Sequence, residues 1–238
     1  MRLQESRKKA CMAALAILVS LLAVLTLVFC AIHFKKKTDT TSPYDQRVAE
    51  FIAENPTFDS GQIVFIGDSI TAKYKLHRHY RDLSHKTYNR GISGDTTDWM
   101  LARMQVSLFD ISPSKVVLMI GTNDINGPKS AEQIAENYEN ILNLISSHLP
   151  NTEVYCISII PQNREFSENA RENNQKIIEA NEKIERLAKM HGYEFINLYD
   201  ALVDETGLLE TKYSKDGLHL NRKGYKVFTN TVKDYLKE

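Results

Sequence analysis

Residues 62–70 read Gln-Ile-Val-Phe-Ile-Gly-Asp-Ser-Ile. The apolar run is short, made of β-branched and aromatic side chains, and without polar alternation. That is the pattern of a strand buried on both faces. Gly67 ends it, and Asp68 and Ser69 stand where a helix would begin. The same grammar returns in Lys115–Ile120 (KVVLMI), which runs into Gly121-Thr122-Asn123-Asp124, and in Glu153–Ile160 (EVYCISII), closed by Pro161. Tyr193–Ile196 is a weaker fourth strand, and Lys86–Asn89 adds a short one.

Helical patterns separate these runs. Ser130 and Gln133 form a capping box, followed at helical spacing by Ile134, Tyr138, Ile141, Leu142, Ile145 and Leu149. Ser167 is expected to open a longer helix with Ile177, Ala180, Ile184, Leu187 and Ala188 on its apolar face. Asn221 is expected to cap a last helix that turns Tyr225, Phe228, Val232 and Tyr235 inward. Strands alternating with helices predict an α/β domain with a mostly parallel sheet covered on both faces. In such sheets ligands bind beyond the carboxyl ends of the strands, where Gly67-Asp68-Ser69 and Gly121-Thr122-Asn123 both fall.

Four segments carry chemistry. Ser69 follows a strand and a Gly-Asp pair, so its hydroxyl would stand at the sheet rim beside helix N–H groups that favour negative charge; read alone, Asp68 or Ser69 is simply an N-cap. Asp216 and His219, three apart before the last helix, allow a carboxylate to orient one imidazole nitrogen while the other faces a serine; read alone, His219 is a surface histidine in a polar turn. Gly94, in Ile92-Ser93-Gly94-Asp95-Thr96-Thr97, allows close approach of a backbone N–H to a substrate oxygen. Asn123 offers an amide donor at a strand edge. Preorganised donors of this kind form an oxyanion hole.

Taken together and in this order, the segments resemble the four blocks of the SGNH, or GDSL, hydrolases, over roughly residues 60–236. Ser69 in GDSI matches the nucleophile, with Ile70 where Leu is commoner. Gly94 in ISGD matches the oxyanion glycine, Asn123 in GTND the oxyanion asparagine, and Asp216 with His219 in DGLH the acid–base pair. The blocks look most like the branch containing platelet-activating-factor acetylhydrolase-like and small acyl-ester hydrolases. The resemblance implies a flavodoxin-like three-layer α/β/α sandwich, no cofactor and no metal. It also implies attack by Ser69 on an ester carbonyl, with His219 as base and the Ser69 N–H, the Gly94 N–H and the Asn123 amide around the oxyanion. A short acyl group such as acetyl, on a glycan or a small surface substrate, is the expectation. A lysophospholipase or thioesterase of the same fold is the alternative, and a non-catalytic binding module would be expected to have lost Ser69, Asp216 or His219.

The first 43 residues are unlike the rest. After a basic flank (1–10) with Arg2, Arg7, Lys8 and Lys9, residues 11–32 form an uncharged stretch of 22 residues. As a helix that spans about 33 Å, enough to cross a bilayer core. The run is too long for a cleaved signal peptide and ends without a small-x-small site, so it reads as a single-pass signal anchor. Residues 33–43 are a polar linker and 44–238 the catalytic domain. The N-terminal charges place that domain outside the membrane, although Lys35, Lys36 and Lys37 oppose this.

The 238 residues carry 30 basic and 30 acidic side chains, which leaves no electrostatic case for a nucleic-acid partner. Three cysteines make neither a disulfide framework nor a metal pattern, and Cys156 reads as a small buried hydrophobe. His77, His79 and His85 read as exposed residues of a polar stretch. Asp95 and Asp124 are second anchors behind the oxyanion residues or ordinary turn residues. Trp99 either packs beneath the Gly94 loop or lines the pocket. Asn173, Asn174 and Asn181 are expected to face solvent or bond locally on their helix.

Overall fold

The computed structural model describes residues 42–237. The anchor expected over 11–32, and all of the linker before residue 42, lie outside the described residues. Among the described residues no helix is long and apolar enough to cross a membrane. The described residues fall into two units, one ending at Gln46 and the other beginning at Arg47. In the first, the described part begins helix α1 (Pro43–Glu54), whose opening turn is closed by the Asp45 N–H donating to Ser42 Oγ.

The second unit is built on five parallel strands: β1 (Ile63–Gly67), β2 (Thr87–Gly91), β3 (Lys115–Met119), β4 (Glu153–Ile157) and β5 (Glu194–Ile196). Their order is β2-β1-β3-β4-β5, the flavodoxin-like order with its switch point between β1 and β3. Side chains of successive strand residues point to opposite faces, and two cores follow. Val64, Ile66, Val116, Leu118, Val154 and Cys156 meet helices α4 (Thr97–Ser107), α6 (Ala131–His148) and α7 (Ala170–Met190). Ile63, Phe65, Val117, Met119, Tyr155 and Ile157 meet the short helices α2 (Ser69–Ala72) and α3 (Leu76–His79), and helix α8 (Arg222–Val232). Helix α5 (Thr122–Ile125) follows β3. The parallel three-layer sandwich is therefore as expected, and the Ser130–Gln133 capping box forms in both directions.

The differences from expectation have local causes. Strand β4 stops at Ile157, not Ile160, because the backbone finds other partners. The Ser158 N–H makes the last bond to β5, at the Ile196 carbonyl, and beyond it the Asn181 side chain accepts from the Ile159 N–H at 2.8 Å and donates to the Ile159 carbonyl at 2.9 Å. Asn174 does the same for Gln162, at 2.8 and 2.9 Å. Asn174 and Asn181 are thus buried anchors of a segment outside their helix, not solvent-facing residues. Helix α7 starts at Ala170 because Ser167 spends its hydroxyl on the Asn169 N–H in a tight turn. Tyr235 points outward: Lys233–Leu236 tighten into a 3₁₀ turn, which brings Leu236 to the core and leaves Tyr235 at the surface. His79 is half-buried, bonded to Thr229 Oγ1 and packed on the Tyr74 ring.

Replacing Asn181 with Leu would leave the buried N–H and carbonyl of Ile159 without partners. The expected loss is about 2–4 kcal/mol of unfolding free energy, measurable by urea denaturation; an unchanged midpoint would show that the segment finds other bonds.

Candidate active site

The register of the three strands at the switch point sets the site. Gly67 pairs with Gly91 on one side and with Met119 on the other, so β2, β1 and β3 end level. The chain then leaves each strand over the same edge, with Ser69, Gly94 and Asn123 a few residues beyond. Gly91 must be glycine for this, because a Cβ there would lie 2.2 Å from the Ala72 nitrogen, inside helix α2.

Helix α2 is started by Asp68, whose Oδ1 accepts from the Ile70 N–H at 2.9 Å. Ser69 is the first helical residue and is largely buried. Its Oγ lies 3.0 Å from His219 Nε2, and His219 Nδ1 lies 2.7 Å from Asp216 Oδ2. A carboxylate accepts only, so Nδ1 carries the proton and Nε2 presents its lone pair to Ser69. Asp216 Oδ1 accepts from the His219 and Leu218 N–H groups at 2.8 and 3.1 Å. Partial desolvation opposes ionisation of Asp216, but the bonds from the His219 ring and these two N–H groups outweigh it. They hold the carboxyl well below its ordinary range. The histidine is joined to the serine helix through α8, where Tyr225 donates to the Ile70 carbonyl at 2.7 Å.

Gly94 occupies the third position of a turn closed by the Asp95 N–H donating to the Ile92 carbonyl. Its φ of 83° is what a type II turn asks there. Asn123 donates through Nδ2 to the Asp95 carbonyl at 2.8 Å, which orients its amide and leaves a second amide hydrogen. The structure therefore brings Ser69, His219 and Asp216 into one hydrogen-bonded chain, with Gly94 in the turn after β2 and Asn123 in α5 joined through the Asp95 carbonyl. This arrangement can pass a proton from a hydroxyl to an imidazole and back while N–H donors face a carbonyl oxygen.

The sequence from 65 to 227 matches the GDSL-like Lipase/Acylhydrolase family. This chain belongs to that family, whose members hydrolyse ester bonds. The protein is 31% identical over 170 residues to platelet-activating factor acetylhydrolase IB subunit alpha1 of Rattus norvegicus, covering 69% of this chain and 70% of that protein. It is 30% identical, with a TM-score of 0.74, to the structure of a Streptococcus pneumonia protein provisionally assigned as a platelet activating factor, covering 89% of this chain and 99% of the other. A GDSL-like lipase of Bacteroides thetaiotaomicron is 27% identical, with a TM-score of 0.69, covering 79% of this chain and 96% of that one.

Other residues of this acylhydrolase support the site from behind. Asp95 is buried and accepts from Arg103 Nε at 2.8 Å and Nη2 at 2.5 Å. Arg103 also donates to the carbonyls of Arg90 and Gly67, at the ends of β2 and β1. Asp124 accepts from the Thr97 N–H and hydroxyl and from Lys129. Both aspartates are thus anchors rather than simple turn residues. Arg103, Thr97 and Lys129 have no sequence signature beyond their types and escape a reading by motif. Trp99 is 52% exposed in the first turn of α4, so it is not a floor beneath the Gly94 loop.

Asp68 is the most unusual group in the site. It is fully buried, and its Oδ2 has no hydrogen bond of normal length. Burial pushes its carboxyl up to about 6. The Ile70 N–H and, from longer range, the Thr122 side chain pull against this, while the Asp95 and Asp124 charges add to it. The native state therefore binds this proton more tightly than the unfolded chain, and stability falls as pH rises from the ordinary value of 3.8 through about 6. Asp68→Asn keeps the cap and removes the titration. Its stability advantage over wild type should grow by about 1–3 kcal/mol between about pH 4.5 and about pH 7.5. Denaturation curves of both proteins at the two pH values measure this, and a constant difference would count against it.

Proposed function

We propose that this protein is a serine esterase acting through an acyl-serine, with Ser69 as nucleophile, His219 as general acid–base and Asp216 orienting His219. The observation that carries the reading is the continuous chain from Ser69 Oγ through the His219 ring to Asp216, at 3.0 and 2.7 Å. Ser69 Oγ attacks the ester carbonyl as its proton moves to His219 Nε2. The N–H groups of Ser69 and Gly94 and the free amide hydrogen of Asn123 receive the oxyanion. The alcohol leaves with the proton from His219, and water activated by the same nitrogen releases the acid. No step calls for a cofactor.

The acyl group is proposed to be short, acetyl first, on a glycan or a small surface substrate. Support comes from the name of the 31% identical relatives, which are acetylhydrolases. The apolar stretch of residues 11–32 supports a membrane anchor, and its basic N-terminal flank supports a catalytic domain outside the membrane.

A fluorophosphonate probe should label the wild type and fail to label Ser69→Ala; equal labelling of the two would remove Ser69 from its role. Across p-nitrophenyl esters from acetate to palmitate, kcat/KM should be highest at the short end. Faster turnover of the long chains would favour the lysophospholipase or thioesterase alternative. In intact cells making the full chain, protease added outside should digest the catalytic domain while the protein remains in the membrane fraction. A protected domain would reverse the proposed orientation.

A further inference from the structure

The mechanism uses His219, but not the ground beside it. A depression of about 670 Å³ adjoins the histidine, and its wall includes His219, Asp216, Lys212, Lys215, Arg222 and Lys223. Residues 212–226 hold five basic side chains against one acidic one, in a chain whose charges balance overall. Lys212 is paired with Glu210 at 2.6 Å. Lys215, Arg222 and Lys223 have no ion pair among the described residues, and all three are exposed.

The fold does not require this charge. Helix N-termini favour acidic side chains, yet the first turn of α8 has none and opens with Arg222 and Lys223. The end of the helix is already capped by Asn221 Oδ1, which accepts from the Lys223 and Gly224 N–H groups. Two cations at the positive end of a helix oppose local electrostatics and serve no local bond. Such violations of a local rule point to function.

Direction follows from the chemistry proposed above, on which this inference rests. In acylation the bond from Ser69 Oγ to the acyl carbon forms and the bond from that carbon to the alcohol oxygen breaks. The proton taken from Ser69 passes from His219 Nε2 to the departing oxygen. The alcohol oxygen therefore lies against His219, with the acyl oxygen toward Gly94 and Asn123, and the alcohol half extends over the side of the site that His219 lines. We propose that the depression receives the alcohol half of the substrate, and that this half carries an anionic group, a carboxylate or a phosphate, met by Lys215, Arg222 and Lys223. The clustered positive charge raises the local concentration of such an ester and holds it with its alcohol oxygen at the histidine.

The test compares three acetyl esters on the full chain: neutral 4-acetoxybenzamide, 4-acetoxybenzoate and 4-acetoxyphenyl phosphate. The readout is kcat/KM for each anionic ester divided by that for the neutral one. The ratio should fall on the order of tenfold in Lys215→Gln/Arg222→Gln/Lys223→Gln, and by a similar factor in wild type when salt is raised. Lys189→Gln, at the far end of α7, should keep the wild-type ratio. Which anionic ester loses more tells a carboxylate substrate from a phosphate one. A ratio unmoved by the triple substitution overturns the anionic subsite while turnover of the neutral ester leaves the esterase reading standing. Failure of wild type to turn over any of the three overturns the esterase reading, and the subsite with it.

Discussion

One buried guanidinium sets where the site can be. Arg103 reaches out of helix α4 to the carbonyls that end β1 and β2 and to the carboxylate of Asp95. Those carbonyls belong to Gly67 and Arg90, at the point where the strands part and the ladder is about to run out. A buried ion pair of this kind is costly to form, and losing one partner is more costly still. It therefore acts as a constraint on geometry more than as a source of stability. By holding Asp95 against the ends of two strands it fixes the Gly94 turn relative to Ser69. Because the Asp95 carbonyl also accepts from Asn123, the same contact reaches α5 after β3. Three of the four sequence blocks hang from it.

The fourth block is held differently. The turn from Asp216 to His219 is built from its own bonds, with one carboxylate oxygen receiving two backbone N–H groups and the other receiving the imidazole. Asp216 is more than half exposed, so it contributes orientation and tautomer more than buried charge. The block is brought to Ser69 by α8, through Tyr225 to the Ile70 carbonyl and through the contact between the Tyr74 hydroxyl and Thr229 Oγ1. The donor half of the site thus rests on buried supports, Asp95, Arg103 and Asp124, and the acid–base half is held by local bonds around a half-exposed carboxylate.

What could be read from the sequence, and what could not, follows this division. Strands β1, β3 and β4 were legible because burial on both faces leaves an unbroken apolar run, and the blocks were legible because each stands just past such a run or just before a capped helix. The supports were not. Asn181 and Asn174 bond to backbone 22 and 12 residues away, and nothing in a helix of mixed polarity marks which asparagine turns inward. Arg103 sits in a helix whose apolar stripe is interrupted, where an arginine reads as a surface charge. Tyr235 was misread because a helical period was carried into a segment that winds more tightly.

Three buried carboxylates, those of Asp68, Asp95 and Asp124, stand beside the place proposed for a developing negative charge, and the charges of Asp95 and Asp124 add to the cost of ionising Asp68. Left unbalanced they would oppose the reaction. Each is answered separately: Asp95 by Arg103, Asp124 by Lys129 and the Thr97 donors, and Asp68 by the Ile70 N–H and a proton held up to about pH 6. With Asp95 and Asp124 each paired with a cation, what remains directed at the proposed oxyanion is a set of fixed dipoles. These are the backbone N–H groups of Ser69 and Gly94 and the amide of Asn123. Dipoles locked by hydrogen bonds need no reorganisation as charge develops. On this view the acidic residues behind the loops are the anchors that aim those dipoles, and burial is what keeps them aimed.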